Sequence, residues 1–131
     1  MEVIVLENPN SVYISKSITA ELDDLGVSTT HIDVERSTFP NGEKYYRLCI
    51  PTEFSLLGKT SLYIASITND EEILDLYRIG STLAQVGIKR RIFVIPFLAY
   101  LSMDRASHPG EIVTAKCNSQ MFGMVGAATE G

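Results

Sequence analysis

The sequence predicts an α/β domain with a mostly parallel central sheet, helices on both faces and a protruding hairpin or flap near residues 35–50. Two observations carry the layered part. Short apolar runs such as Val3–Leu6, Ser61–Ser66 and Ile92–Phe97 alternate with longer segments of helical periodicity, the pattern of strand–helix–strand units. The runs are continuous rather than alternating, as strands covered on both faces are. A third observation marks the hairpin: between Thr29 and Ile50 the residues alternate in polarity around Pro40-Asn41-Gly42, and Asn-Gly is the strongest short-range hairpin signal.

Each element follows in order. Val3–Leu6 reads as a buried strand closed by Asn8-Pro9-Asn10. Ser11 is placed to cap a helix with Ile14, Ile18, Leu22 and Leu25 at helical spacing, and Gly26 ends it. Thr29–Val34 is β-branched and alternating, a second strand. Glu43–Ile50 is a third, with Tyr46, Leu48 and Ile50 on one face and Pro51 as its stop. Ser61–Ser66 is a central strand. Asn69 and Asp70 start a helix with an acidic first turn, carried by Ile73, Leu76, Tyr77, Gly80 and Leu83 and ended by Gly87. Ile92–Phe97 is the strongest strand signal. Leu98–Gly110 is a loop, and Glu111–Val125 is a last helix with Val113, Cys117, Met121 and Met124 at helical spacing. After this helix the next strand of an α/β unit does not follow, so either the domain ends on a helix or the chain is part of something longer.

Composition narrows the function classes. The 131 residues suit one domain, read here as a single unit over 1–131. Eleven Lys and Arg against sixteen Asp and Glu give a net charge of −5, which offers no basic surface for nucleic acid or an anionic membrane. No apolar run reaches the roughly 18 residues of a membrane span, and the N-terminus lacks the pattern of a signal peptide; a cytoplasmic protein is expected. Cys49 and Cys117 have no paired spacing and are expected as small buried hydrophobes. Lys89-Arg90-Arg91 is expected to be a solvated face.

The phosphate-loop, dinucleotide, nucleophile-elbow and zinc motifs are all missing from the sequence. Two loops remain. Phe39-Pro40-Asn41-Gly42-Glu43 joins an aromatic to a turn and a carboxylate. Its ring can stack a nucleobase while Asn41 and Glu43 read the base edge; a hairpin turn with a packed Phe and a solvated Glu accounts for the same residues. Leu98–Gly110 follows the strongest strand, where open α/β sheets bind ligands, and holds Asp104, Arg105 and His108. Asp104 can approach Mg²⁺ through water; an ordinary polar loop is the plainer account.

Together the loops resemble the ribose-phosphate diphosphokinase family. Its F-[PS]-[DN]-x-E loop is matched by Phe39–Glu43. Its N-D helix start is matched by Asn69-Asp70 with Leu74-Asp75-Leu76, and its V-I-P-[YF]-x-x-Y strand end by Val94–Tyr100. Thr114-Ala115-Lys116 and Val125-Gly126-Ala127 match two further motifs. The resemblance spans nearly the whole chain. It implies a phosphoribosyltransferase-like N-terminal domain, with Phe39 on adenine, Asn41 and Glu43 at its edge, and Asp104 near the phosphates and Mg²⁺. The implied reaction moves the diphosphoryl group of ATP to ribose 5-phosphate, in a homo-oligomer or a hetero-oligomer with other synthetase subunits. Departures are as specific. Ser102 and Met103 stand where the family has an Arg and a Gln that contact ATP, and Leu57-Gly58 replaces its Arg-Gly turn. The family's metal-binding His and its C-terminal catalytic domain are not in these residues. Two readings follow: the N-terminal domain of a divergent synthetase, inactive by itself, or a degenerate homologue serving a synthetase complex as a regulatory or scaffolding subunit.

Overall fold

The computed structural model describes residues 2–100 and 105–126. Strand β1 (Glu2–Glu7) leads through a single 3-10 turn (Pro9–Ser11) into helix α1 (Val12–Asp24). Strand β2 (Ser28–His31) follows, then β3 (Val34–Thr38), β4 (Lys44–Leu48), β5 (Thr60–Ile64), α2 (Asp70–Gln85), β6 (Arg90–Val94) and α3 (Thr114–Gly126). Four strands form one parallel sheet in the order β2-β1-β5-β6, and β3 with β4 forms a separate antiparallel pair.

The expected two-sided burial is what the sheet shows. On one face Val3, Val5, Leu62 and Ile64 pack against Ile14, Ile18 and Leu22 of α1. On the other, Ile4, Leu6, Tyr63 and Ala65 meet Ile73, Leu76, Ile79 and Leu83 of α2, with Met121 and Phe122 of α3 alongside. Successive side chains of a strand point to opposite faces, so the unbroken run Val3–Leu6 feeds both layers. Asn69 caps α2 as expected, its side chain accepting from the Glu72 amide at 2.9 Å. Helix α3 packs against α2 at Gly80. A Cβ at Gly80 would lie 2.3 Å from Val125 Cγ1 and 3.0 Å from Phe93 Cζ, so only a residue without a side chain fits there.

Several expectations need correction. Thr29–Val34 is not one strand. Its first part pairs with β1 in the main sheet, Ile32 turns inward and is buried, and Val34 begins the hairpin. Burial of Ile32 ends the edge strand and lets the polar stretch beyond it pair with Lys44–Leu48 instead. The last helix starts at Thr114 rather than Glu111, because the Glu111 carboxylate is engaged in closing the preceding turn. It accepts from the Ser107 and His108 amides at 3.1 and 2.6 Å. Of the residues at helical spacing in that helix, Met121 packs inward, together with Phe122 and Val125, while Cys117 and Met124 are exposed. Cys49 is half-buried, so neither cysteine is a core residue. Arg91 is buried rather than solvated, and donates to the carbonyls of Ile88 at 3.2 Å and Val125 at 3.0 Å. It satisfies a terminal carbonyl of α3 that the helix itself leaves open.

Candidate functional site

The hairpin stands off the main sheet and is fastened to α2. In its register Val34 faces Leu48, Arg36 faces Tyr46 and Thr38 faces Lys44. Alternation puts Val34, Arg36, Tyr46 and Leu48 on the inner side and Glu35 and Arg47 outside, where they pair at 3.4 Å. Three contacts reach α2. Lys44 meets Glu71 at 2.9 Å, Arg36 meets Asp75 at 2.8 Å, and the Arg78 guanidinium lies 5.5 Å from the centre of the Tyr46 ring. Positions 71, 75 and 78 share one helix face.

The middle contact is buried. Arg36 Nε donates to Asp75 Oδ1 at 2.8 Å and Nη2 donates to Asp75 Oδ2 at 3.2 Å, a bidentate pair. Arg36 Nη2 also donates to the Tyr63 hydroxyl at 2.9 Å, and that hydroxyl donates to Asp75 Oδ2. Tyr63 is fully buried and Asp75 only 5% exposed. Burial first, then the Asp75 carboxylate, pushes the Tyr63 phenol far above its ordinary value of 10. Burial works against the Arg36 charge, but the bonds to Asp75 and the nearby Tyr63 outweigh it and hold its pKa raised. Sequence reading missed this triad. The available signal was a carboxylate, Asp75, on the apolar face formed by Ile73, Leu76 and Ile79.

At the tip, the sequence-expected residues come together. The Phe39 amide donates to the Glu43 carbonyl and the Gly42 amide to the Phe39 carbonyl, both at 2.8 Å. Asn41 Oδ1 accepts from the Glu43 amide at 3.0 Å, a local bond of the kind that favours Asn in turns. Gly42 has φ 92°, a conformation that costs glycine little. Phe39 is 49% exposed and meets Tyr45 edge-on, with centroids 5.9 Å apart. The turn therefore presents an aromatic ring, an amide and a carboxylate on one projecting edge. Tyr46 is drawn back under Arg78, and Phe54 lies under Lys59 at 4.4 Å, so Phe39 and Tyr45 are the aromatics left at the tip.

Between the hairpin, the Pro9–Ser11 turn and the start of α2 lies a cleft of about 320 Å³, lined by Asn8, Asn10, Arg36, Lys44, Asn69 and Glu72 among others. Its two cations are already matched by Asp75 and Glu71. Glu72 accepts from Asn8 at 3.3 Å, from the Thr68 amide at 2.9 Å and from Asn10. The acidic first turn of α2 opposes the attraction its N-terminus would otherwise exert on an anion. The cleft is thus polar but not poised for phosphate, and its carboxylates are engaged with protein donors.

Asp104, Ser102 and Met103 lie outside the described residues, and the expected place of Asp104 is not part of this geometry. Its loop is entered through Tyr100, which has φ 74° and donates its hydroxyl to Asp70 at the start of α2. His108 is exposed, 3.3 Å from Glu111. Among the described residues no helix is long and apolar enough to cross a membrane.

Residues 3–126 match the family described as the N-terminal domain of ribose phosphate pyrophosphokinase. The ribose-phosphate pyrophosphokinase of Pyrococcus abyssi is 34% identical over 95 residues, covering 71% of this chain and 31% of the relative. That of Saccharolobus solfataricus is 32% identical over 100 residues, covering 75% and 33%. This chain spans about a third of the length of those relatives. The phosphoribosylpyrophosphate synthetase of Mycobacterium smegmatis superposes with a TM-score of 0.79 over 96% of this chain and 40% of its own, at 16% identity. A hypoxanthine-guanine phosphoribosyl transferase of L. donovani superposes at 0.51 and 14% identity, over 72% of this chain and 52% of its own. These superpositions show a shared fold.

Proposed function

From the premise that this chain belongs to the ribose-phosphate pyrophosphokinase family, as its N-terminal domain, we propose that it holds the adenine base of ATP for diphosphoryl transfer to ribose 5-phosphate. The supporting observation is the projecting turn, with the Phe39 ring half-exposed at the end of a hairpin that Arg36 ties to the core. Phe39 stacks the base, and Asn41 and Glu43 bond its edge. By the family resemblance Asp104 serves the phosphates, and Mg²⁺ enters with the nucleotide. Transfer of this kind depends on positioning and charge neutralisation. These residues contain no pentose-phosphate loop, so the 131-residue polypeptide alone releases no AMP from ATP and ribose 5-phosphate. The domain works in the cytoplasm, in assemblies with copies of itself or with other synthetase subunits.

Titration with adenosine and with ATP, by calorimetry or NMR shifts, tests the base site. Stacking on an aromatic is worth about 1–3 kcal/mol, so Phe39→Ala weakens both ligands. Ser102 supplies no cation, and a charge-assisted phosphate bond is worth roughly 1.5–3 kcal/mol. Adenosine and ATP therefore bind with similar, weak affinity, and Ser102→Arg tightens ATP about tenfold or more while leaving adenosine unchanged. Tight ATP binding that ignores Phe39→Ala rejects the proposal.

Ser102 and Met103 favour a second reading, a regulatory or scaffolding subunit that modulates a synthetase without turning over. Adding the chain to an active synthetase separates the two: a stoichiometric change in that enzyme's rate, with no nucleotide bound to this chain, selects the second.

A further inference from the structure

The carboxyl ends of β1 and β2 carry a cluster that the nucleotide reading does not use. Glu7 ends β1 and His31 ends β2, neighbouring parallel strands in which Val5 faces His31. Asp33 follows two residues later. His31 Nε2 lies 2.8 Å from Glu7 Oε2 and 2.9 Å from Oε1, and Nδ1 lies 3.5 Å from Asp33 Oδ1. One ligand atom from each residue lies within 4.8 Å of the other two. The Ser15 hydroxyl donates to Glu7 Oε1 at 2.6 Å, fixing that carboxylate. A cavity of about 480 Å³ adjoins the cluster, lined by all three residues together with Lys16, Thr19 and Asp23.

We propose that Glu7, His31 and Asp33 form a site for a divalent transition cation such as Zn²⁺, Co²⁺ or Mn²⁺, with an open coordination position towards this cavity. One imidazole nitrogen and two carboxylate oxygens suit these ions, whereas Mg²⁺ and Ca²⁺ take oxygen ligands. Three protein donors leave a fourth position for water or an exogenous ligand, the arrangement of open rather than closed metal sites. Ligands sit about 2.0–2.2 Å from such an ion, or roughly 3.4 Å from each other. Glu7 is largely buried and held by Ser15, while the Asp33 side chain is exposed and has room to turn toward the other two. The bond from Ser15 is an outer partner of the kind that orients a metal-bound carboxylate. The position is also one where parallel sheets take ligands, beyond the carboxyl ends of the strands. Contact of His31 with both carboxylates, without any metal, is the competing account.

The test uses the full 131-residue chain, stripped with chelator. Zn²⁺ is titrated by calorimetry, and Mn²⁺ by paramagnetic broadening of NMR signals, since Mn²⁺ has little affinity for the thiols of Cys49 and Cys117. His31 and His108 are the two histidines, so the imidazole is assignable. Mn²⁺ is expected to broaden residues 7, 31 and 33 before all others. His31→Ala is expected to weaken Zn²⁺ by at least about tenfold, as much as loss of an outer-shell partner costs. Asp33→Asn, at a highly exposed side chain that leaves the fold intact, weakens it less but measurably. His108→Ala changes nothing. Binding that survives His31→Ala and Asp33→Asn unchanged, broadening centred elsewhere, or no binding at millimolar metal overturns the proposal.

Discussion

Gly80 is the residue at which three elements meet. A methyl group there would lie 2.3 Å from a Val125 methyl. Val125 is buried and β-branched, so it has few rotamers into which to retreat. Alanine gains roughly 1 kcal/mol of helix propensity over glycine, but overpacking costs about 1–3 kcal/mol. The clash wins, and Gly80→Ala is expected to lower Tm in a thermal melt; an unchanged or raised Tm would mean that α3 shifts freely. Glu111 gives a pH prediction at the same scale. Donation from Ser107, then from the His108 amide, lowers its pKa from the ordinary 4.5. A carboxylate with a depressed folded pKa favours the fold above its unfolded value, and that contribution fades as pH falls through the folded one. The turn over 107–111 is therefore expected to loosen only below pH 4.5. Amide shifts of Ser107 and His108 followed down in pH check it, and loosening already at neutral pH would contradict it.

At the scale of the element, the hairpin depends on the Arg36–Tyr63–Asp75 triad. Removing one partner of a buried pair leaves an uncompensated charge and costs about 3–5 kcal/mol. Arg36 retains some solvent access, so Arg36→Met is expected at the low end, about 3 kcal/mol by urea denaturation. Arg36→Met with Asp75→Leu is expected to recover part of that loss, because neither charge is then stranded. A double variant as unstable as the single one would show that the triad's role is packing alone. The alkaline branch of stability has a defined sign. Tyr63 has a folded pKa raised above its unfolded value, so its contribution is complete below pH 10 and is lost as pH rises beyond it. Tyr63→Phe is expected to flatten the stability profile above pH 10 and leave its shape at neutral pH unchanged.

Across the whole molecule, protection is expected to follow burial. Strands β1 and β5 are central in the sheet and covered on both faces, whereas the hairpin is a two-stranded unit with one face in water. Native-state hydrogen exchange should rank Val3–Leu6 and Leu62–Ile64 slowest and Val34–Leu48 well faster. Equal protection of hairpin and sheet would mean that they open as one unit. Self-association, if it uses the hairpin tip, involves Phe39 and Tyr45, since Tyr46 and Phe54 pack back onto the protein. Light scattering is expected to show mass rising with concentration, and less so for Phe39→Ala with Tyr45→Ser. A strict monomer at high concentration would exclude that contact.

The sequence alone determined the order of the main elements, the two-sided burial of the sheet and the turn at Asn41-Gly42, because all three rest on local rules. Period, β-branching and turn chemistry act within a few residues. The likeness carried by Phe39–Glu43, Asn69-Asp70 and Val94–Tyr100 was also legible, since motifs in order survive low identity. Only the tertiary structure decided where Thr29–Val34 divides, which face of α3 turns inward, and that Arg91 is buried beneath the end of that helix. It alone brought Arg36 to Asp75 across 39 residues and Glu7 to His31 across 24. Charged residues read as surface unless a distant partner is in view, because burial of a charge is set by what lies opposite it in space. Such pairings have no periodicity to betray them along the chain.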